Sequence, residues 1–147
     1  TDYINYGGKI SRWADPDVRR RVRSAGDDRV LVPGGFAGRQ GRAEMEVFNP
    51  NDNLWRILPP LCRPTSAQST VFLDHYLFLF GDFASPGEWL AYDLEKKSSE
   101  TFTLQYTPAR QTAAVVHEGK IYIIGGRASS ISNPLRTIQV FALRKKA

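Results

Sequence analysis

The chain has 147 residues, 41% of them hydrophobic and 12% aromatic, which is enough for a domain with its own core. Its 20 Lys and Arg against 15 Asp and Glu leave a net charge of +5, a balance that suits an acidic partner or a phosphate backbone. No apolar stretch approaches the roughly 18–20 residues of a membrane-spanning helix, and the lone Cys62 excludes an intramolecular disulfide framework and favours a reducing, intracellular (cytoplasmic) setting.

In chain order, the first residues carry no basic and apolar leader and no initiator methionine, so the start reads as processed or trimmed. Residues Asp2–Tyr6 read as a strand, Gly7-Gly8 as a turn, and Ile10–Ala14 as a further strand carrying Trp13. Next comes Val22–Gly26, joined through the turn formers Asp27-Asp28 to an apolar run that ends at Gly34-Gly35. A polar, glycine-containing loop, Phe36–Ala43, leads to a third strand, Glu44–Asn49, and then to a fourth that carries Trp55.

The same order recurs twice. Ser69–Leu73 turns at Asp74-His75 into Tyr76–Phe80, which stops at Gly81-Asp82; the loop Asp82–Gly87, the strand Trp89–Asp93 and a strand carrying Phe102 follow. Thr112–His117 turns at Glu118-Gly119 into Lys120–Ile124, which stops at Gly125-Gly126; the loop Arg127–Pro134 and the strand Ile138–Ala142 follow, with no fourth strand. The glycine runs begin at residues 34, 81 and 125, spacings of 47 and 44 residues, the range of a blade repeat. Runs such as Leu77–Phe80 are apolar at consecutive positions, which predicts strands buried on both faces. Glycines at their ends supply unusual backbone angles and room for a neighbouring aromatic, for which Trp55 and Phe102 are the candidates. No helix of any length is predicted.

In a four-stranded antiparallel blade, the inter-blade connections and the second-to-third-strand loops open onto one face. That set holds Arg19, Arg20, Arg39, Arg42, Arg63, Arg110 and Arg127 against Asp15, Asp17 and Asp82. The opposite turns hold Asp27, Asp28, Asp52, Asp74, Glu95 and Glu118, diluted by Lys96 and Lys97. One face is therefore expected to be basic, with arginines able to fork onto carboxylates or phosphates.

Taken together, Gly34-Gly35, Phe48-Asn49-Pro50, Trp55, Pro59-Pro60 and Arg63, then Gly81, Tyr92-Asp93, Phe102 and Pro108-Ala109-Arg110, then Gly125-Gly126, resemble the Kelch repeat family over roughly residues 19–143. The departures are Asp82 in place of a second glycine and Phe102 in place of tryptophan. The resemblance implies an all-β fold, a Kelch-type β-propeller of about three four-stranded antiparallel blades, partial or split. Its segments are a tail of a preceding blade at 1–18 and blades at 19–60, 61–106 and 107–147, the last lacking its fourth strand. Fewer than four blades do not close a ring, so a longer chain, another protein or a second copy is expected to cover the open edges.

Chemistry-bearing patterns are sparse. His75 and His117 fall at strand turns without converging ligands, so no metal is expected. The glycine pairs lack the helix and the lysine-serine pair of a phosphate-binding loop, and no cofactor is expected. Two enzyme types resemble Kelch propellers, copper radical oxidases and sialic acid mutarotases; neither constellation is recognisable, and a propeller enzyme is the alternative reading. A ribonucleoprotein subunit contacting phosphates is a further one. In Kelch adaptors of ubiquitin ligases, positions like Arg110-Gln111, Ser66-Ala67 and Arg19-Arg20 resemble the site that grips acidic peptides. The expected function is a non-catalytic protein-interaction module binding an acidic partner through Arg19, Arg20, Phe36, Arg39, Arg42, Phe83, Arg110, Gln111 and Arg127.

Overall fold

The computed structural model describes residues 11–12, 29–50, 52–100 and 104–144. These form strands β1 (Ser11–Arg12), β2 (Val30–Pro33), β3 (Phe36–Ala37), β4 (Gln40–Gly41), β5 (Met45–Asn49), β6 (Leu54–Leu58), β7 (Ser69–Leu73), β8 (Tyr76–Phe80), β9 (Trp89–Asp93), β10 (Ser98–Glu100), β11 (Ala113–His117), β12 (Lys120–Ile124) and β13 (Ile138–Ala142), with no helix among the described residues. The sheet orders are β1-β2-β5-β6, β7-β8-β9-β10 and β11-β12-β13, every pairing antiparallel, plus the small ribbon β3-β4. The described residues are all-β, a plan that fits a partial propeller of Kelch type, and among them the sheets do not close into a ring.

The glycine-ended runs are the second strands of the three blades, as the spacing predicts. The turns between first and second strands also fall where expected: Asp74 (φ 58°) opens one, and Glu118 (φ 47°) with Gly119 (φ 72°) makes the other. Two cores lie between the blades. Leu31, Met45 and Val47 of the first blade meet Leu77, Leu79, Leu90 and Tyr92 of the second. The other face of the second blade, with Val71, Phe78, Phe80 and Ala91, meets Ile121 and Ile123 of the third. Strands β8 and β9 are thus covered on both sides, which is why their sequences run apolar without alternation.

Three expectations need correction. Ser11–Arg12, placed by pattern in the fourth strand of a preceding blade, instead pairs with Leu31 and Val30 at the edge of the first sheet. Free N–H and C=O groups on an edge accept whichever antiparallel segment reaches them, and local pattern does not encode which one does. Second, Phe36–Ala43 is not a plain loop: Phe36 pairs with Gly41 and Ala37 with Gln40 in a ribbon that turns at Gly38 (φ 63°) and Arg39. Third, the glycines do not make room for an aromatic. A Cβ on Gly34 would overlap the carbonyl oxygen of Thr65, and one on Gly81 that of Ala109, so the space is taken by the backbone of the next blade's inner connection. Trp55 lies instead over Phe48, ring centroids 5.1 Å apart, and is 47% exposed. Val22–Gly26, Asp27-Asp28, Asp2–Tyr6, Trp13 and Phe102 lie outside the described residues.

Candidate interaction face at the glycine turns

Gly34, Gly81 and Gly125 all take positive φ (61°, 75° and 66°), and each bends the chain out of a second strand at the same end of its blade. Two residues further on stand Phe36, Phe83 and Arg127, so these three occupy equivalent places in successive blades. The inner connections Ser66-Ala67 and Arg110-Gln111 are likewise equivalent, and Ala67 (φ 53°) and Gln111 (φ 57°) share a left-handed backbone.

Main-chain pairing stitches each inner connection to its turn. Arg110 and Arg127 exchange N–H···O bonds of 2.9 and 3.0 Å. At the matching place in the second blade the Phe83 N–H donates to the Ser66 carbonyl at 3.0 Å, while the Ser66 N–H donates to Oδ1 of Asp82 at 2.9 Å. The second Asp82 oxygen accepts the N–H groups of Ala84 and Ser85, each at 3.1 Å. The departure from the double glycine therefore has a function: a carboxylate takes the part of a main-chain carbonyl and folds the 82–87 loop around itself.

These bonds bring part of the expected set together. The Phe36 and Phe83 rings meet edge to face at 5.9 Å across the junction of the first two blades. The Arg110 guanidinium lies 4.1 Å from the Phe83 ring centroid, and its Nη1 donates to the Phe83 carbonyl. Arg110 is only 8% exposed, and its Nε has no acceptor. Phe83 itself is 42% exposed, an aromatic held from both sides yet open to solvent.

The other predicted residues separate. Arg42 forks onto Glu44 (Nε–Oε2 3.0 Å, Nη2–Oε1 2.5 Å), so most of its charge is answered within the chain. Arg63 pairs through Nε with Oε2 of Glu88 at 2.9 Å, and its Nη2 donates to the Trp89 carbonyl. Arg39, at the ribbon tip, and Arg127 are exposed, as is Gln111. Arg19 and Arg20 lie outside the described residues. At the opposite end of the blades, Asp52, Asp74, Glu95 and Glu118 are all exposed, and Asp52 pairs with Arg56, which holds its carboxyl below the usual range.

Sequence reasoning missed one charged group of note. His75, Asp93 and Glu95 converge closely enough to suggest a metal site. Yet Asp93 Oδ1 already accepts the N–H groups of Glu95 and Lys96 (2.8 and 3.0 Å). Its Oδ2 lies 3.5 Å from His75 Nε2 and 3.9 Å from the Lys96 ammonium. A carboxylate committed to a turn and facing an ammonium is a cap, and the Tyr-Asp pair in the sequence was the signal for it.

The family model described as Kelch motif matches residues 108–146. The chain is similar to the spermatocyte protein spe-26 of Caenorhabditis elegans, 28% identical over 116 residues, covering 74% of this chain and 19% of that protein. It is also similar to Kelch repeat and BTB domain-containing protein 2 of cowpox virus (strain Brighton Red), 23% identical over 145 residues, covering 82% of this chain and 26% of that protein. It thus spans about a fifth to a quarter of the length of these two relatives. The matched motif at residues 108–146 is a Kelch motif, and the glycine-ended strands and the Tyr-Asp turn of the second blade lie on the same sheet plan.

Proposed function

We propose that this chain is a non-catalytic protein-interaction module that presents the glycine-turn end of its blades to an acidic segment of a partner protein. The observation that carries this reading is the Phe36–Phe83–Arg110 stack: an exposed aromatic fixed across two blade junctions, with Arg127 in the equivalent place of the next blade. Rigid aromatic anchors beside arginines are the usual centres of binding energy. Phe83 supplies the apolar anchor, Arg127 and Arg39 the charges that meet carboxylates, and Gln111 an adjacent amide. Arg110, buried under Phe83, acts as a positioning residue, and Arg42 contributes less because Glu44 already occupies it.

The test is fluorescence anisotropy with a labelled peptide of mixed glutamate, aspartate and leucine. Phe83→Ala and Arg127→Glu should each weaken binding about thirtyfold, the size of a hot-spot loss of ~2 kcal/mol. Arg110→Glu is a poorer probe, since it also puts an unpaired carboxylate into a buried site. Unchanged affinity in both surface variants, with native circular dichroism, would remove this face from consideration. Tighter binding of a single-stranded RNA of equal charge would transfer the reading to phosphates.

A further inference from the structure

Three serines of the chain have an arginine three residues before them: Ser24 after Arg21, Ser66 after Arg63 and Ser130 after Arg127. In an extended segment that spacing spans about 10 Å. It is the reach between the hydroxyl a serine kinase phosphorylates and the acidic pocket by which arginine-directed kinases choose it. The structure separates the three. Ser24 lies outside the described residues. Ser66 is 2% exposed, and its N–H and hydroxyl both donate to Asp82. Ser130 and Arg127 are both exposed. Ile131, next after the serine, is 95% exposed, an apolar group where such kinases offer an apolar pocket.

The loop leaves this hydroxyl free. At its base Arg127 exchanges main-chain bonds with Arg110, and the Leu135 N–H donates to the Gly126 carbonyl at 2.8 Å. Between these, Ser129 and Ser132 bind one another. The Ser129 N–H donates to Ser132 Oγ at 3.0 Å, the Ser132 N–H to Ser129 Oγ at 3.1 Å, and the Ser132 hydroxyl to the Ser129 carbonyl at 3.0 Å. Those two hydroxyls are spent on the turn, with Ser130 between them. Gly125 closes on Thr137 where Gly81 closes on Glu88, so this loop is longer than its counterpart. The counterpart has a blade on either side and still exposes Phe83, Ala84 and Gly87. This end of a blade therefore stays open whatever flanks it.

We propose that Ser130 is a phosphorylation site for an arginine-directed serine kinase, and that its phosphate turns the glycine-turn face off for acidic partners. Ser130 Oγ attacks the γ-phosphorus of ATP and forms the new O–P bond as the bond to the β–γ bridging oxygen breaks. ADP leaves, and the hydroxyl proton goes to the carboxylate base of the kinase. From 127 to 136 the only charged residues are Arg127 and Arg136. A phosphate of about −1.5 to −2 charges cancels them, and its oxygens compete for the guanidinium that would meet a partner's carboxylate. The regulatory half of the proposal rests on the interaction face described above; the modification site does not.

The test incubates the folded chain with MgATP and the catalytic subunit of cAMP-dependent protein kinase, and maps phosphate by tandem mass spectrometry. One phosphate on Ser130 is expected, absent in Ser130→Ala, with Arg127→Ala slowing its uptake about tenfold or more. No phosphate on Ser130, or uptake there indifferent to Arg127→Ala, overturns the site. Phosphate on buried Ser66 at the same rate overturns it too, since the kinase would then be meeting unfolded chain. The labelled acidic peptide should bind the phosphorylated chain about tenfold more weakly than the unmodified one. Equal affinities overturn the regulation and leave the interaction face standing. An unmodified chain that binds no peptide removes the face and the regulation together, while phosphate on Ser130 still upholds the site.

Discussion

Gly81 and Gly119 have nearly the same backbone angle, φ 75° and 72°, and opposite surroundings. An added Cβ at Gly119 meets open space, whereas one at Gly81 would overlap the carbonyl of Ala109 at the junction of two blades. Gly119→Ala should therefore cost about 1 kcal/mol, the strain of a left-handed alanine. Gly81→Ala adds a steric clash between backbones and should cost about 2–4 kcal/mol. Urea unfolding of both variants checks this, and equal losses would mean that backbone angle alone selects these glycines. The same contrast separates the arginines. Arg110, Arg42 and Arg63 look alike in the sequence, but one supports an aromatic from beneath and two are paired with glutamates.

At the scale of the element, each second strand ends in a turn whose N–H and C=O groups must be met. In the third blade Arg110 and Arg127 meet them with their own backbones, and Gly126 (φ 89°) permits the approach. In the second blade the Asp82 side chain does part of this work, binding the N–H groups of Ser66, Ala84 and Ser85. Asp82→Ala should leave three donors without their partner, lower stability by about 1–3 kcal/mol and open the 82–87 loop to proteolysis. Limited proteolysis with mass-spectrometric mapping reads this directly; an uncut loop with unchanged stability would assign the loop's order to Phe83 and its neighbours instead. The double-glycine pattern made Asp82 visible as a departure, but its three bonds depend on a loop path that no local pattern specifies.

At the scale of the whole molecule, the blades are joined by side chains from one reaching main-chain groups or hydroxyls of its neighbour. Gln68 Nε2 donates to the Pro33 carbonyl at 2.8 Å, the Ser69 and Thr112 hydroxyls share a 2.6 Å bond, and the Tyr92 hydroxyl donates to the Pro59 carbonyl at 2.8 Å. At the passage from the second repeat to the third, the Tyr106 hydroxyl similarly donates to the Ala109 carbonyl at 2.5 Å. Burial pushes the Tyr92 and Tyr106 hydroxyls from the ordinary 10.0 up to about 12. For an acid raised in the folded state, its contribution is whole below the unfolded value and is lost as pH rises through the folded one. The melting temperature should hold from about pH 7 to 9 and fall between about pH 10 and 12. The double variant Tyr92→Phe/Tyr106→Phe should start lower and fall less steeply. Parallel curves for variant and native protein would show that other groups govern the alkaline loss.

The sequence by itself determined the strand plan. Apolar runs ended by glycine, turn formers between them and a period of 47 and 44 residues are local statements, and backbone sterics and strand pairing act on them locally. It also marked Phe36, Phe83 and the arginines as members of one loop set. Only the tertiary structure decided what they do: that Phe36 meets Phe83, that Arg110 is buried beneath it, that Ser11–Arg12 joins the first sheet, and that Trp55 leaves the glycines to a neighbouring backbone. Those contacts cross from one repeat to the next, and a repeat's own pattern encodes its strands without encoding which atoms of its neighbour will lie against them.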